Sequence, residues 1–154
     1  MRRPTLLLAL LALPASLLAA CGDDQEPANA RDLYRRLQAA DYRSWRRPPG
    51  YETRQKTNVP HGESVDIYVN DVVAAALDAG EPLEAWPEGS LIVKDGFDGD
   101  DLELVAAMEK RDGAWFWAEY YDGDAKYSGQ PGICVDCHER GANDFVRAFP
   151  LPRP

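Results

Sequence analysis

A chain of 154 residues, 45% hydrophobic and 28% charged, has the length and apolar content of one ordinary domain. Its 26 acids against 17 lysines and arginines leave a net charge of −9. No basic patch able to neutralise phosphates stands out, which argues against nucleic acid as a partner.

The chain opens with Arg2 and Arg3, then the apolar run 6–13, then Leu17-Leu18-Ala19-Ala20 before Cys21. A basic start, a short apolar core and small residues before a cleavage point make a secretory signal over 1–20, too short for a stable transmembrane span. Leu18-Ala19-Ala20-Cys21 resembles the lipobox of bacterial lipoproteins, with Cys21 the residue that takes the lipid. Such an anchor buries many methylenes at about 0.8 kcal/mol each. It would fix the protein in the cell envelope, facing the periplasm. The competing reading is an ordinary signal peptide with Cys21 a leftover thiol. Removal of residues 1–20 takes away two arginines and no acid, so the remaining 134 residues carry −11. That charge suits a soluble face and a basic electron-transfer partner.

Residues 21–28 are acidic and small and read as a flexible tether, followed by a single domain over 29–154. From Asn29, a candidate cap, Leu33, Tyr34, Leu37 and Tyr42 fall near helical spacing up to the stop Arg46-Arg47-Pro48-Pro49-Gly50, with Trp45 packed on the core. Alternating Val65, Ile67 and Val69 predict a half-buried strand over 64–69. Asn70 is placed to cap a helix over 71–79, which Gly80 closes. A second strand over 90–94 is expected to stop at Asp95-Gly96. Alternating Leu102, Leu104 and Ala106 favour a third over 102–110, although Leu104-Val105-Ala106-Ala107-Met108 also suits a helix, and Asp112-Gly113 signals a tight hairpin into the clearest strand, 114–121. There Trp115, Trp117, Glu119 and Tyr121 share one face, and Phe116, Ala118 and Tyr120 the other. A loop then carries Cys134-Val135-Asp136-Cys137-His138, and 139–149 is expected to form a last helix before Pro150, Pro152 and Pro154. This order predicts an α+β fold, an antiparallel β-sheet flanked by helices.

The CxxCH pentapeptide carries the most specific chemistry. Two thiols three positions apart can each add to one vinyl group of a haem, and the adjoining histidine can take the iron axially. Cys134 and Cys137 are thus the candidate attachment residues for one covalent haem c, and His138 the proximal iron ligand. A Cys134–Cys137 disulfide is the alternative in an oxidising compartment. A redox CxxC would normally open a βαβ unit, whereas this one comes near the end of the chain.

With that motif in place, the sequence resembles the cytochrome P-460 family, which includes the cytochromes c′-beta. The resemblance runs through Tyr42-Arg43-Ser44-Trp45, Pro60-His61-Gly62, Ile67-Tyr68-Val69-Asn70 and the stretch from Pro87 to Asp95. It continues through the aromatic strand to CxxCH and Asn143-Asp144-Phe145-Val146. It implies a sheet-dominated homodimer with one haem c per subunit and an iron open on the face opposite His138. It also implies chemistry on, or binding of, a small nitrogen ligand, hydroxylamine or nitric oxide. Lys94 matches the lysine that some members bond to the haem. Otherwise it is a solvent-facing lysine at a strand end.

The remaining candidates each have two readings. His61 is either a second axial ligand or a loop histidine bonded to backbone, and Met108 either a ligand or core packing. Ligation by either would make the protein a six-coordinate electron carrier. Glu119, among aromatics, is either a proton shuttle with a raised pKa or a carboxylate facing water. Trp115, Phe116, Trp117, Tyr120 and Tyr121 serve as a haem wall, as sheet packing or as a dimer interface. There is no Ser-His-Asp pattern, phosphate loop or zinc spacing.

Overall fold

In the computed structural model, which describes residues 25–57, 60–141 and 143–153, one antiparallel sheet holds six strands in the order in which the chain makes them. They are β1 (Gln55–Lys56), β2 (Ser64–Val69), β3 (Leu91–Asp98), β4 (Asp101–Arg111), β5 (Ala114–Tyr121) and β6 (Asp124–Gly129). Helix α1 (Pro27–Ala39) precedes the sheet, α2 (Asp71–Ala79) connects β2 to β3, and α3 (Gly132–His138) follows β6. The chain is therefore α+β, as its patterning predicts. No described helix is long and apolar enough to cross a membrane. The signal segment and Cys21 lie outside the described residues.

Both faces of the sheet are covered. On one, Leu33 and Leu37 of α1 and the ring of Tyr42 pack on Tyr68, Val93, Val105, Phe116 and Tyr120. On the other, Val73 of α2, Trp86 and the tail residues Val146, Phe149 and Leu151 pack on Ile67, Ile92, Met108, Trp115 and Trp117. Fully burying each such aliphatic or aromatic side chain contributes roughly 1.5–3 kcal/mol. Strand periodicity of two then fixes what shares the second face. One row across the strands reads Ile67, Lys94, Ala106, Glu119, and the next reads Val69, Ile92, Met108, Trp117.

Several elements differ from expectation. Helix α1 starts at Pro27, whose fixed φ suits a first turn, so Asn29 lies inside it and Glu26 precedes it. Its N-terminal end is pinned by the Glu26 amide donating to Ser128 Oγ at 2.9 Å, so the tether expected up to residue 28 is ordered structure from Gln25. The helix ends at Ala39 because Asp41 turns left-handed (φ 46°), and Tyr42–Ser44 form a separate 3-10 turn. β2 is buried on both faces rather than one, and its Asp66 is paired with Arg47 and Arg54.

β3 does not stop at Asp95-Gly96. The buried Asp95 carboxylate accepts from the Tyr42 hydroxyl (2.7 Å) and from Arg43 Nε (2.6 Å), so a residue that resembles a turn-former is satisfied inside the sheet. Gly96 is needed there because a Cβ would lie 2.0 Å from the His61 carbonyl oxygen. β1 and the edge strand β6 are additional to the expected strands, with Asp122-Gly123 (φ 49° and 85°) turning β5 into β6.

CxxCH is helical rather than looped. The helix expected over 139–149 is replaced by a 3-10 turn, Glu139–Gly141, and an irregular tail in which Asp144 and Phe145 both take positive φ. The tail's polar groups bond to the rest of the molecule instead: Asp144 to Lys110, and the Asn143 carbonyl to Trp86 Nε1.

Candidate functional site

Helix α3 carries Cys134, Cys137 and His138 at positions i, i+3 and i+4, which lie on one helical face. Both cysteines are free, half-buried thiols. Burial, with added repulsion from Glu119 and Cys137, pushes the Cys134 thiol up to about 11, so it stays protonated. Arg147 Nη1 donates to the Cys137 carbonyl (3.0 Å) and lies 2.9 Å from Cys137 Sγ, tying the tail to the end of the motif.

His138 is oriented by its backbone surroundings. Its Nδ1 lies 2.9 Å from the Phe145 carbonyl oxygen, which can only accept, so Nδ1 carries the proton and Nε2 keeps a free lone pair. Burial lowers the imidazole to about 4, assisted by the nearby cations Lys94 and Arg147 and opposed by the Phe145 bond. The ring is therefore a neutral base at ordinary pH. Trp117 and Phe145 pack around it, with Trp117 edge-on at 6.2 Å between centroids and itself 5.8 Å from Phe145.

The face bearing these groups opens on a narrow cleft of about 60 Å³. Its walls are mainly apolar, from Ile67, Ile92, Ala106, Met108, Trp117 and Val146. Its polar residues are His61, Lys94, Glu119, Cys134, His138 and Arg147. An adjoining cleft of about 270 Å³ shares His61, Glu119, Cys134 and His138 and continues past Tyr121, Tyr127 and Ile133.

The separated sequence candidates thus meet in one place. Lys94 projects from β3 into the cleft, and burial lowers its amine to about 8 against the opposing influence of Cys137 and Glu119. A lysine in that state has a reactive neutral fraction near neutral pH. Glu119 lies on the same face one strand beyond Ala106. The expectation of a raised carboxyl pKa is not met. Burial does push it up, but the His61 ring 3.2 Å from Oε2 and the Tyr121 hydroxyl donating to Oε1 at 2.9 Å outweigh it, and the net shift is downward. Glu119 is an ionised group held by two neighbours.

His61 reaches the cleft from the loop before β2, with its ring centroid 6.3 Å from that of His138. Its Nδ1 is buried beside Glu119 without hydrogen-bonding alignment, so the backbone-bonded loop histidine is not what the structure contains. Met108 lines the cleft and is also packed between Ile92 and Trp117 in adjacent strands. Trp115 faces the same side but is used in packing. Phe116 and Tyr120 belong to the opposite core, with the Tyr120 hydroxyl donating to the Ala30 carbonyl at 2.7 Å.

Arg147 and Phe145 are members of the site that sequence reasoning missed. Their approach depends on the irregular tail; Phe145 falls in a stretch that carries the family resemblance, and for Arg147 the local signal is its closeness to the CxxCH motif. Among the described residues, no cluster of three or more His, Cys, Asp or Glu side chains is placed to hold a bare metal ion. The site contains two thiols, a neutral imidazole with a free Nε2, an amine of lowered pKa, and a carboxylate beside a second imidazole. No family model, curated protein or solved structure matches the chain.

Proposed function

We propose that this is an exported haem c protein of the cytochrome P-460 type, binding or converting hydroxylamine or nitric oxide at an iron face opposite His138. One observation carries the reading: the CxxCH imidazole spends its Nδ1 proton on the Phe145 carbonyl and keeps Nε2 free, on the same helical face as two free thiols. Carbonyl-oriented neutral imidazoles are the usual form of axial and metal-binding histidines. The donor set fits a haem, since Cys134 and Cys137 can form the two thioethers, His138 can take the iron, and the cleft offers apolar walls. When bound, the haem would supply a redox-active iron able to take a small ligand.

The chain's own groups have separable parts. Phe145 holds the His138 ring, and Trp117 shields it from water. Glu119 and His61 form a pair able to hold or pass a proton at the edge of the cleft, with Tyr121 fixing the carboxylate. Lys94, on β3 two strands from Glu119, is the candidate for a covalent bond to the ring. The lipid anchor at Cys21, the periplasm-facing location and a homodimer belong to the same proposal and rest on the sequence and its resemblance.

A second reading is favoured by the sharing of one cleft by the His61 and His138 rings. Ligation by both would make a six-coordinate electron carrier.

The test is the ferrous absorption spectrum of protein produced with haem-maturation machinery, alongside haem staining after denaturing electrophoresis. Covalent haem that is lost in Cys134→Ser/Cys137→Ser supports the proposal. A strongly red-shifted main band abolished by Lys94→Met assigns the cross-link, and an ordinary high-spin spectrum leaves an unlinked gas-binding haem. A low-spin spectrum that turns high-spin in His61→Ala selects the electron carrier. Protein that acquires no haem overturns both readings.

A further inference from the structure

Two features of the tail have no use in the chemistry above: a pair of consecutive left-handed residues, and an ion pair that hardly reaches solvent. Asp144 and Phe145 have φ of 49° and 67°, and a bulky aromatic residue rarely adopts that conformation without being held. The restraint comes from several directions. Lys110, near the end of β4, places Nζ 2.9 and 3.0 Å from the two Asp144 carboxylate oxygens, with both side chains about nine-tenths buried. The Trp86 amide donates to Asp144 Oδ2 at 2.9 Å, and Trp115 Nε1 donates to the Asp144 carbonyl at 2.7 Å. The residue held next to this clamp is Phe145, whose carbonyl accepts the His138 Nδ1 proton.

We propose that the Lys110–Asp144 pair is a positioning device for His138: by clamping the left-handed turn it fixes the carbonyl that selects the imidazole tautomer, and so sets how strongly Nε2 donates to iron. The imidazole's basicity rises with the strength of the bond at Nδ1, so a group that aims the acceptor tunes the ligand without touching it. A buried ion pair is poorly explained as a source of stability, because desolvation offsets most of its attraction. Geometric control of the neighbouring residue gives it a use. The consequence for iron rests on the function proposed above; the control of the tautomer does not.

Two variants and two readouts test it. Lys110→Met removes the ammonium and keeps an apolar stem, while Trp115→Phe removes the indole donor on the Asp144 carbonyl and leaves the ion pair intact. In the full chain before haem attachment, ¹⁵N shifts of His138 should report the Nδ1–H tautomer in the parent protein and a tautomer mixture in both variants. In the haem-loaded protein, both variants should raise the reduction potential, because a less basic imidazole stabilises the ferric state less. Unchanged tautomer and unchanged potential beside a lowered melting temperature would reduce the pair to a structural tie and overturn the proposal. If Lys110→Met fails to fold, Trp115→Phe decides the matter with the same readouts. If the parent protein takes up no haem, the functional reading fails while the nitrogen shifts still decide whether the clamp orients His138.

Discussion

A neutral imidazole and a partly neutral amine facing one cleft make the stability of the haem-free chain depend on pH at both ends of the scale. His138 has a folded pKa of about 4 against an ordinary 6.5, so between those values the unfolded chain binds more protons. Its contribution is therefore complete above about pH 6.5 and is lost as pH falls toward 4. Lys94, at about 8 against 10.5, works in the same direction at higher pH, so stability rises as pH climbs from 8 toward 10.5. Denaturant unfolding across pH should show both slopes, each worth up to about 3 kcal/mol. His138→Gln should flatten the acid one and Lys94→Met the alkaline one. The thiols and His138 were legible in the sequence because their chemistry is local, three residues within five positions, whereas the helix that puts them on one face in place of the expected loop was not. The shared placement of Lys94 and Glu119 was partly legible, since strand alternation settles which face a residue takes. The ionisation of Glu119 was not, because it is decided by His61, a residue distant in the chain.

Among the elements, those with local punctuation were readable. Asn70 and Gly80 bound α2 as their cap chemistry dictates: Asn70 Oδ1 accepts from the Val73 amide, and Gly80 closes the helix at φ 63°. Asn70 also accepts from the Leu91 amide at 3.1 Å and donates to the Gly89 carbonyl at 2.9 Å, so one side chain ties α2 to the start of β3. Asn70→Ala should cost about 2 kcal/mol or more in chemical denaturation, beyond an isolated cap. β6, the continuation of β3 and the unwound tail were not readable. Asp124-Ala125-Lys126 lacks the apolar alternation of a strand and forms one through pairing with β5. Asp95-Gly96 has turn composition, yet the side-chain partners of Asp95 lie on another element. Gly96→Ala should push against the His61 backbone, lower the melting temperature by several degrees and displace the His61 ring. Gly99→Ala, with nothing within 4 Å of the added carbon, should cost only about 1–2 kcal/mol from its left-handed backbone and leave His61 in place.

For the whole molecule, the meander separates its duties by face. Lys94 and Asp95 are neighbours in sequence, yet the pleat sends the amine to the cleft and the carboxylate toward Tyr42 in the opposite core. Acidity is concentrated at one end of the sheet, because the β3–β4 and β5–β6 turns fall on the same side of an up-and-down arrangement. Asp98, Asp100, Asp101, Glu103, Asp122 and Asp124 are all exposed there. If the protein carries the haem proposed for it, electron exchange with a strongly basic small redox protein should slow by about tenfold or more as ionic strength rises from low to physiological values. Stopped-flow mixing would measure it, and neutralising these six acids should remove most of the salt dependence.

The helix that bears the two thiols has no fully buried residue, although the sheet beneath it is covered on both sides. Every strand pairs with its neighbour in the chain, so the sheet can close from short-range contacts before the end of the polypeptide is in place. That gives the molecule a natural order of assembly. A folded platform can exist while its last helix still detaches at low cost, exposing both sulfurs to whatever modifies them. The irregular tail packs Val146, Phe149 and Leu151 into the second core, against which Cys134 and Val135 of that helix also rest.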